Sequence, residues 1–424
     1  MNNQTDKFSL DDNTIEDIVK ELCKKIEKYY VFPNIAMKIT QSLLDNLEDG
    51  SYYGNTDPVN FERLLSKDLV EVSNDLHFYF EYDPNMAQNL IKEANEKKGQ
   101  IEDDFLEYKM GLKSEQYRNF HILKAERLPG NFGYIKLNDF PPAEFAGETI
   151  IGALQFLANT NALIFDIRNN GGGYPSMVAL IISYLLEPNP QLLTSIYERK
   201  EDKVFQNWTL PYVPGKIFPK KPVYVLTSRR SASGAEEFAY ALKMQKRALI
   251  IGETTRGAAN PVEVFPILDK FVIWLPIGTP TNSISKDNWE GIGVSPDFDV
   301  PQEKALEKAH MLAFDELINK LDDIEILRMV KFELEYCKTF YNSIEVDLKK
   351  MQDFQGQYEQ YKIDIKDNYS FIERANLKHQ IITKDNITFF IDETLKFWFE
   401  EENNEKILNI VRRDFPSTLR LYRK

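Results

Sequence analysis

Histidine and cysteine are scarce in this chain of 424 residues: four of the first, two of the second. Cys23 and Cys337 cannot build a disulfide framework or a cysteine-rich zinc site. His77, His121, His310 and His379 show no metal-ligand spacing and no HExxH occurs, so no metal and no other cofactor is expected. Long apolar runs are missing as well. The longest, Met177 to Leu186, is far short of the roughly 20 residues that cross a bilayer as a helix, so no membrane span is expected. The opening MNNQTDKFSLDDN has neither an apolar core nor a small-residue cleavage site. The expectation is a cytoplasmic protein, or an extracytoplasmic one if a leader had been trimmed. Positive charge is in deficit, 52 Lys and Arg against 66 Asp and Glu for a net charge of −14. Nucleic acid and anionic lipid are therefore poor partners. What is present, 43% hydrophobic and 12% aromatic residues, suits globular packing, and the length suggests about three domains.

Periodicity divides the chain. Ile15, Ile18, Val19, Leu22, Cys23 and Ile26 recur on one helical face, after an Asn13…Glu16 pattern resembling a capping box. A second helix is expected from Pro33 to about Leu47 and a third over Phe61 to Val72, with His77 to Tyr82 as a strand. Residues 84–118 are charged and helix-prone. From Phe120 the texture becomes strand, helix, strand, helix. Asn161–Ile167, Val223–Thr227 and Ala248–Ile251 are nearly continuous apolar runs of the kind buried on both faces of a sheet, with helices over Ser176–Leu186 and Ala235–Met244 between them. A helical stretch follows Pro301, and short alternating segments from about Met351 read as an antiparallel meander. The expected organisation is a helical cap (1–82), a helical connector (83–119), an α/β core (120–305), a helical extension (306–350) and a small β domain (351–424).

Ligands of parallel α/β sheets bind where strand ends meet helix N-termini. Two such junctions stand out. In Asp166-Ile-Arg168-Asn-Asn170-Gly171-Gly172-Gly173, three glycines bring backbone N–H groups close to an anion or simply make a tight turn. It is neither a Walker A loop nor GxGxxG. In Thr227-Ser-Arg-Arg-Ser231-Ala-Ser233-Gly234-Ala-Glu-Glu237, a serine at a helix start is either an N-cap or a nucleophile. GxSxG is absent. Asp166 and Arg168 are expected to pin the glycine loop, and Glu236 and Glu237 to complement the helix dipole.

DIRNNGGG, VYVLTSRRSASGAEEFAYAL, IIGETTRGAANP and WEGIGVSPDFDVP, in that order over about residues 120–305, resemble the core of the C-terminal processing (tail-specific) serine peptidases. The resemblance implies an α/β fold with a crotonase- or ClpP-like spiral core. The N-terminal helices are similar to the cap of the branch that includes tricorn and the retinoid-binding proteins. Matched to the family motifs, Ser233 is the nucleophile, with Gly172 and Gly234 donating the oxyanion-hole N–H groups. The lysine that pairs with the serine in many members has no counterpart, because Ala258 stands there. Arg256 nearby stays protonated and cannot be a base. The tricorn-like alternative implies a histidine base before the core, which His77 matches, and an orienting glutamate, which Glu290 matches. Tricorn-like sites can carry a serine before the histidine; here it is Leu76. A lone histidine among aromatics is ordinarily structural, and it is the family position that favours His77. His121 is a competitor, and His310 and His379 are expected on the surface.

The resemblance thus implies a serine peptidase acting on peptides or unfolded proteins through an acyl-enzyme. Between Tyr82 and Phe120 there is too little chain for a PDZ-type module, so substrate selection is sought elsewhere, including the aromatic, Pro-rich Trp208–Pro219. Oligomerisation is left open. The alternatives are a non-catalytic binder of an apolar ligand or peptide on the same fold and a crotonase-like acyl-CoA enzyme, for which Lys220-Lys221 is thin support.

Overall fold

The computed structural model describes residues 9–75, 77–96, 106–343, 351–366, 369–374, 377–385 and 387–424. Leu76, part of the expected connector (97–105) and the end of the expected helical extension (344–350) fall outside them. The chain divides into two compact units. One draws on residues up to Ala125, Ile135–Ala158 and Ile164–Ala305; the other on Glu126–Tyr134, Asn159–Leu163 and Leu306–Lys424.

The first unit opens with helices α1 (Asp12–Tyr29), α2 (Pro33–Glu48) and α3 (Pro58–Ser73). The cap of α1 is Asp11 rather than Asn13: its carboxylate accepts the Thr14 N–H at 2.7 Å. Strand β1 (Tyr79–Tyr82) follows, then α4 (Pro84–Glu96) and α5 (Leu106–Tyr117). His77 lies in a turn ahead of β1, not within the strand. The core strands are β2 (Ile122–Leu128), β3 (Phe132–Leu137), β4 (Ala162–Asp166), β5 (Leu192–Glu198), β6 (Lys203–Trp208), β7 (Val223–Thr227), β8 (Leu249–Gly252), β9 (Val262–Ile267), β10 (Phe271–Pro276), β11 (Gly278–Asn282) and β12 (Phe298–Asp299). Helices α6 (Ala143–Phe156), α7 (Pro175–Leu185) and α8 (Gly234–Met244) alternate with them.

The central sheet runs β12-β8-β7-β4-β3-β2, with β7 parallel to β8 and β8 parallel to β12. Every residue of β4 and β7 is buried, as their largely apolar texture suggests for strands covered on both faces. A second sheet, β1-β10-β9, ties the N-terminal helices to this core: Tyr79 pairs with Trp274 and Tyr82 with Phe271. Its apolar face and the helices share one buried cluster, which includes Leu22, Leu43, Phe61, Leu65, Phe80 and Ile273. Phe80 stacks on Phe271 with ring centroids 5.1 Å apart. That pairing fixes where the turn carrying His77 must lie. A third sheet, β11-β5-β6, completes the unit.

The second unit carries α9 (Ala305–Ile318) and α10 (Ile324–Tyr341), then two antiparallel sheets, one between Gly356 and Gln380 and one between Ile382 and Tyr422. The expected meander is present, folded around buried Phe389, Phe397 and Phe399. His310 corrects the sequence reading: it is only 2% exposed. Its Nε2–H donates to Pro129 O at 2.8 Å, which leaves Nδ1 to accept from the Tyr341 hydroxyl at 3.1 Å. Burial pulls its pKa down to about 4, so it stays neutral in the folded chain where an unfolded histidine would charge. Protons therefore bind the unfolded state preferentially between pH 6.5 and 4, and stability falls as pH falls through that window. The expected loss is about 3 kcal/mol. Urea melts at stepped pH should show a slope that His310→Gln flattens.

Candidate active site

Ser233 joins the end of β7 to α8 with φ 51° and ψ −120°. A non-glycine residue held at positive φ costs of order 1–3 kcal/mol and persists only where its surroundings fix it. Glu236, one turn on, supplies the fixing. Its fully buried carboxylate accepts from Ser233 N–H (2.9 Å), Thr255 Oγ1–H (2.5 Å), Gly257 N–H (2.6 Å) and Ala258 N–H (2.8 Å). Burial pushes this carboxyl above its ordinary range, against the pull of those four donors. Ser233 N–H is shared with Ala258 O at 3.1 Å. Ser233 is left exposed between buried Ala232 and Gly234. The neighbouring serines are committed to the scaffold: Ser231 is buried with its hydroxyl on Ile167 O (2.8 Å), and the Ser228 hydroxyl donates to Arg168 O.

The glycine loop packs directly on this turn. Gly172 and Gly173 have φ of +121° and +120°, and a Cβ would stand 2.7 Å from Ser233 Cβ at the first and 2.2 Å from Phe140 O at the second. No side chain fits at either position. Gly172 N–H donates to Asn170 Oδ1 at 2.9 Å. Among the described residues, the N–H groups of Gly173 and Gly234 take no protein acceptor. A Cβ on Gly234 would stand 3.2 Å from Gly173 N, so these two open donors are neighbours. The open partner of Gly234 is therefore Gly173, one residue beyond the Gly172 read from the motif. Arg168 grips Asp166 with two bonds (2.8 and 2.7 Å) and reaches Gln302 O at 2.6 Å, holding the loop as expected.

His77, Glu290 and Asp75 converge. His77 Nδ1 lies 3.0 Å from Asp75 Oδ1 and 3.4 Å from Glu290 Oε1. Carboxylates only accept, so Nδ1 carries the proton and Nε2 is the nitrogen left to act as a base. Each carboxylate is anchored by its other oxygen: Asp75 Oδ2 by the Tyr30 hydroxyl (3.3 Å) and Asn260 Nδ2 (3.2 Å), Glu290 Oε2 by the N–H groups of Ala259 (2.7 Å) and Asn260 (3.0 Å). Burial alone would lower the His77 pKa, but Asp75 and then Glu290 override it and hold the imidazole up at about 9. One ligand atom from each of Asp75, His77 and Glu290 lies within 4.8 Å of the others. Sequence reasoning named His77 and Glu290 and missed Asp75. The signal was an aspartate two residues before the histidine, the spacing of a side-chain turn onto its own backbone.

One loop connects the two halves. Ala258 O receives the Ser233 N–H, while the next two N–H groups, of Ala259 and Asn260, hold Glu290. Ala258, at the position of the absent lysine, is buried in this loop, and Arg256 is exposed. His121 pairs instead with Glu115 at 3.2 Å, and His379 is exposed. Lys221 donates to the carbonyls of Leu157 and Ala158, both at 3.0 Å, at the end of α6, a structural use that weakens the acyl-CoA reading. Among the described residues, no helix is long and apolar enough to cross a membrane.

Residues 131–300 match the model of Peptidase family S41. The carboxyl-terminal-processing peptidase 2 of Arabidopsis thaliana chloroplasts is 28% identical over 195 residues, 41% of this chain and 34% of that protein. The carboxy-terminal-processing protease of Bartonella bacilliformis is 28% identical over 183 residues, 42% of this chain and 40% of its own. The matched part of the chain thus spans well under half the length of these curated relatives. A candidate peptidase from Parabacteroides merdae, solved by crystallography, shares the fold with a TM-score of 0.50 at 18% identity, over 70% of this chain and 96% of that one. Residues 131–300 are thus similar to peptidase family S41, and this part of the chain resembles the C-terminal-processing peptidases.

Proposed function

We propose that the chain is a serine-type peptidase that cleaves peptides or unfolded protein through an acyl-enzyme, with Ser233 as nucleophile, His77 as general base and Glu290 among the groups that orient it. The observation that carries this reading is the shared loop. Ala258 to Asn260 ties the strained, exposed Ser233 to the carboxylates around His77, so nucleophile and base are positioned by the same backbone.

In this reading Ser233 Oγ attacks the scissile carbonyl carbon as its proton passes to His77 Nε2. The oxyanion takes the N–H groups of Gly234 and Gly173, while Gly172 keeps Asn170. Collapse breaks the C–N bond, and the imidazolium returns its proton to the leaving amine. Water then repeats the sequence on the acyl-enzyme and releases Ser233. In this reading the base comes from the turn before β1 and the nucleophile from the junction of β7 and α8, both within the first compact unit. The relatives' names direct attention to C-terminal segments as substrates. Trp208, Leu210 and Tyr212, which are 44%, 41% and 78% exposed, are candidates for selecting apolar side chains.

A fluorophosphonate probe followed by peptide mapping tests the reading. A covalent adduct on Ser233, competed by a peptide mixture that is itself cleaved, is the expected result. A folded protein that neither labels at Ser233 nor cuts the mixture would overturn it.

A further inference from the structure

The imidazole of His77 faces two carboxylates, and the nearer one belongs to a residue that no motif assigns. Asp75 Oδ1 accepts twice from His77: from its backbone N–H at 3.0 Å and from Nδ1–H at 3.0 Å. Glu290 Oε1 stands further off, at 3.4 Å. The double grip matters because it fixes the histidine by main chain and ring at once, which removes freedom about the side-chain bonds that a single ring contact leaves. Asp75 is itself immobilised. Its side chain is 4% exposed, against 19% for Glu290, and its second oxygen is held by Tyr30, just past the end of α1, and by the loop after β8 through Asn260.

We infer that Asp75 is the principal positioning residue of the His77 base, with Glu290 as a second, more distant carboxylate facing the same ring nitrogen. The inference rests on the peptidase reading for its consequence in catalysis, but not for the pairing itself.

Two anions on one ring have a chemical result. A single carboxylate sets the tautomer; two stabilise the imidazolium strongly. The ionisable groups gathered here are Asp75 on the turn itself, Glu290 on the turn after β11 and the Tyr30 phenol from the end of α1. Burial, then the charge of Asp75, push that phenol up, so it stays neutral and adds no charge of its own. Asn260 is neutral too. Nothing cationic offsets the pair among the groups acting on His77. The resting base is therefore protonated at neutral pH, in line with an imidazole held at about 9. The free-base form needed to deprotonate Ser233 becomes the majority only in alkaline solution. Activity of the free enzyme should rise with pH across the neutral range and level off above about 9.

The test compares Asp75→Asn with Glu290→Gln, both isosteric, in buffer containing EDTA. The histidine titration is read by NMR of ring-labelled protein, with the His77 signal assigned through His77→Gln. Peptide cleavage gives the pH profile of kcat/KM. In Asp75→Asn the His77 midpoint and the acid limb of kcat/KM should both move down by about one pH unit or more, and kcat should fall at the alkaline plateau. Glu290→Gln should move both less. A larger shift in Glu290→Gln, or an unmoved midpoint in Asp75→Asn with the fold intact by circular dichroism, would overturn the inference. If Asp75→Asn does not fold, Asp75→Glu, which keeps charge but alters reach, should keep a high midpoint and lose kcat; a lowered midpoint there would also overturn it. The peptidase reading fails separately: the titrations can behave as expected while nothing is cleaved and Ser233 takes no label.

Discussion

Ser233→Ala should lower kcat/KM by roughly 10⁴- to 10⁶-fold, the loss typical of removing the nucleophile of a serine hydrolase. The residual rate would come from binding and from the Gly173 and Gly234 donors, which the substitution leaves in place. The fold should survive. Ser233 is exposed, alanine has no bulk to place, and the turn is held through the backbone N–H and not through the hydroxyl. At most, losing the N-cap side chain costs about 1 kcal/mol. Peptide cleavage and thermal melting of wild type and variant, measured side by side, check both halves of the expectation. A variant retaining a tenth or more of the activity would move the chemistry away from Ser233 altogether.

The second large effect is expected one helical turn away. Glu236→Ala strips the acceptor from four donors at once: Ser233 N–H, Thr255 Oγ1–H, Gly257 N–H and Ala258 N–H. Each buried donor left without a partner costs about 1–3 kcal/mol before relaxation. Water entering the hole would recover part of this, so the net destabilisation should be about 3–5 kcal/mol. Activity should disappear with it, because the freed loop also carries the N–H groups that hold Glu290. Glu236→Gln is the sharper comparison. It keeps the volume but turns an NH₂ group toward donors, so it should remain folded, melt lower and still lose most of kcat. Denaturant melts alongside cleavage rates separate the two outcomes. If Glu236→Gln were fully active, the clasp would be incidental to the site.

These residues also show what the sequence made legible. The central strands announced themselves because runs such as Ala162–Phe165 are apolar throughout, as burial on both faces favours. Ser233 was legible from its motif and from its place between strand and helix. Glu236 was read as a dipole-matching acid of the first helical turn, which it is, but its clasp of four donors was not legible: at the third position of a helix, a solvated glutamate and a buried one look identical. Only the return of residues 255–258 across the helix start distinguishes them. Asp75 stood in plain view beside His77, but its role depends on Tyr30 and Asn260, which are remote in sequence. Gly172 and Gly173 are indistinguishable in a run of three, and the choice between them depends on Asn170 taking one N–H. His310 was placed on the surface because its helix is charged, whereas the face of that helix it shares with Phe314 packs against Phe132. Strands β9 and β10 went unnoticed, although they determine where His77 lies.

The scattered ancestry of the site has a consequence in time. Its parts come from the end of α1 (Tyr30, its C-cap), the turn before β1 (Asp75 and His77), the junction of β7 and α8 (Ser233), the loop after β8 (Asn260) and the turn bearing Glu290. A ribosome delivers these in order, the base long before the nucleophile and the second carboxylate last. A half-made chain thus holds a histidine without a serine, and then a serine whose base has not been locked. Under the proposed peptidase reading, the site stays incomplete until the turn bearing Glu290 has followed the other parts, although most of the second unit is still to be made at that point.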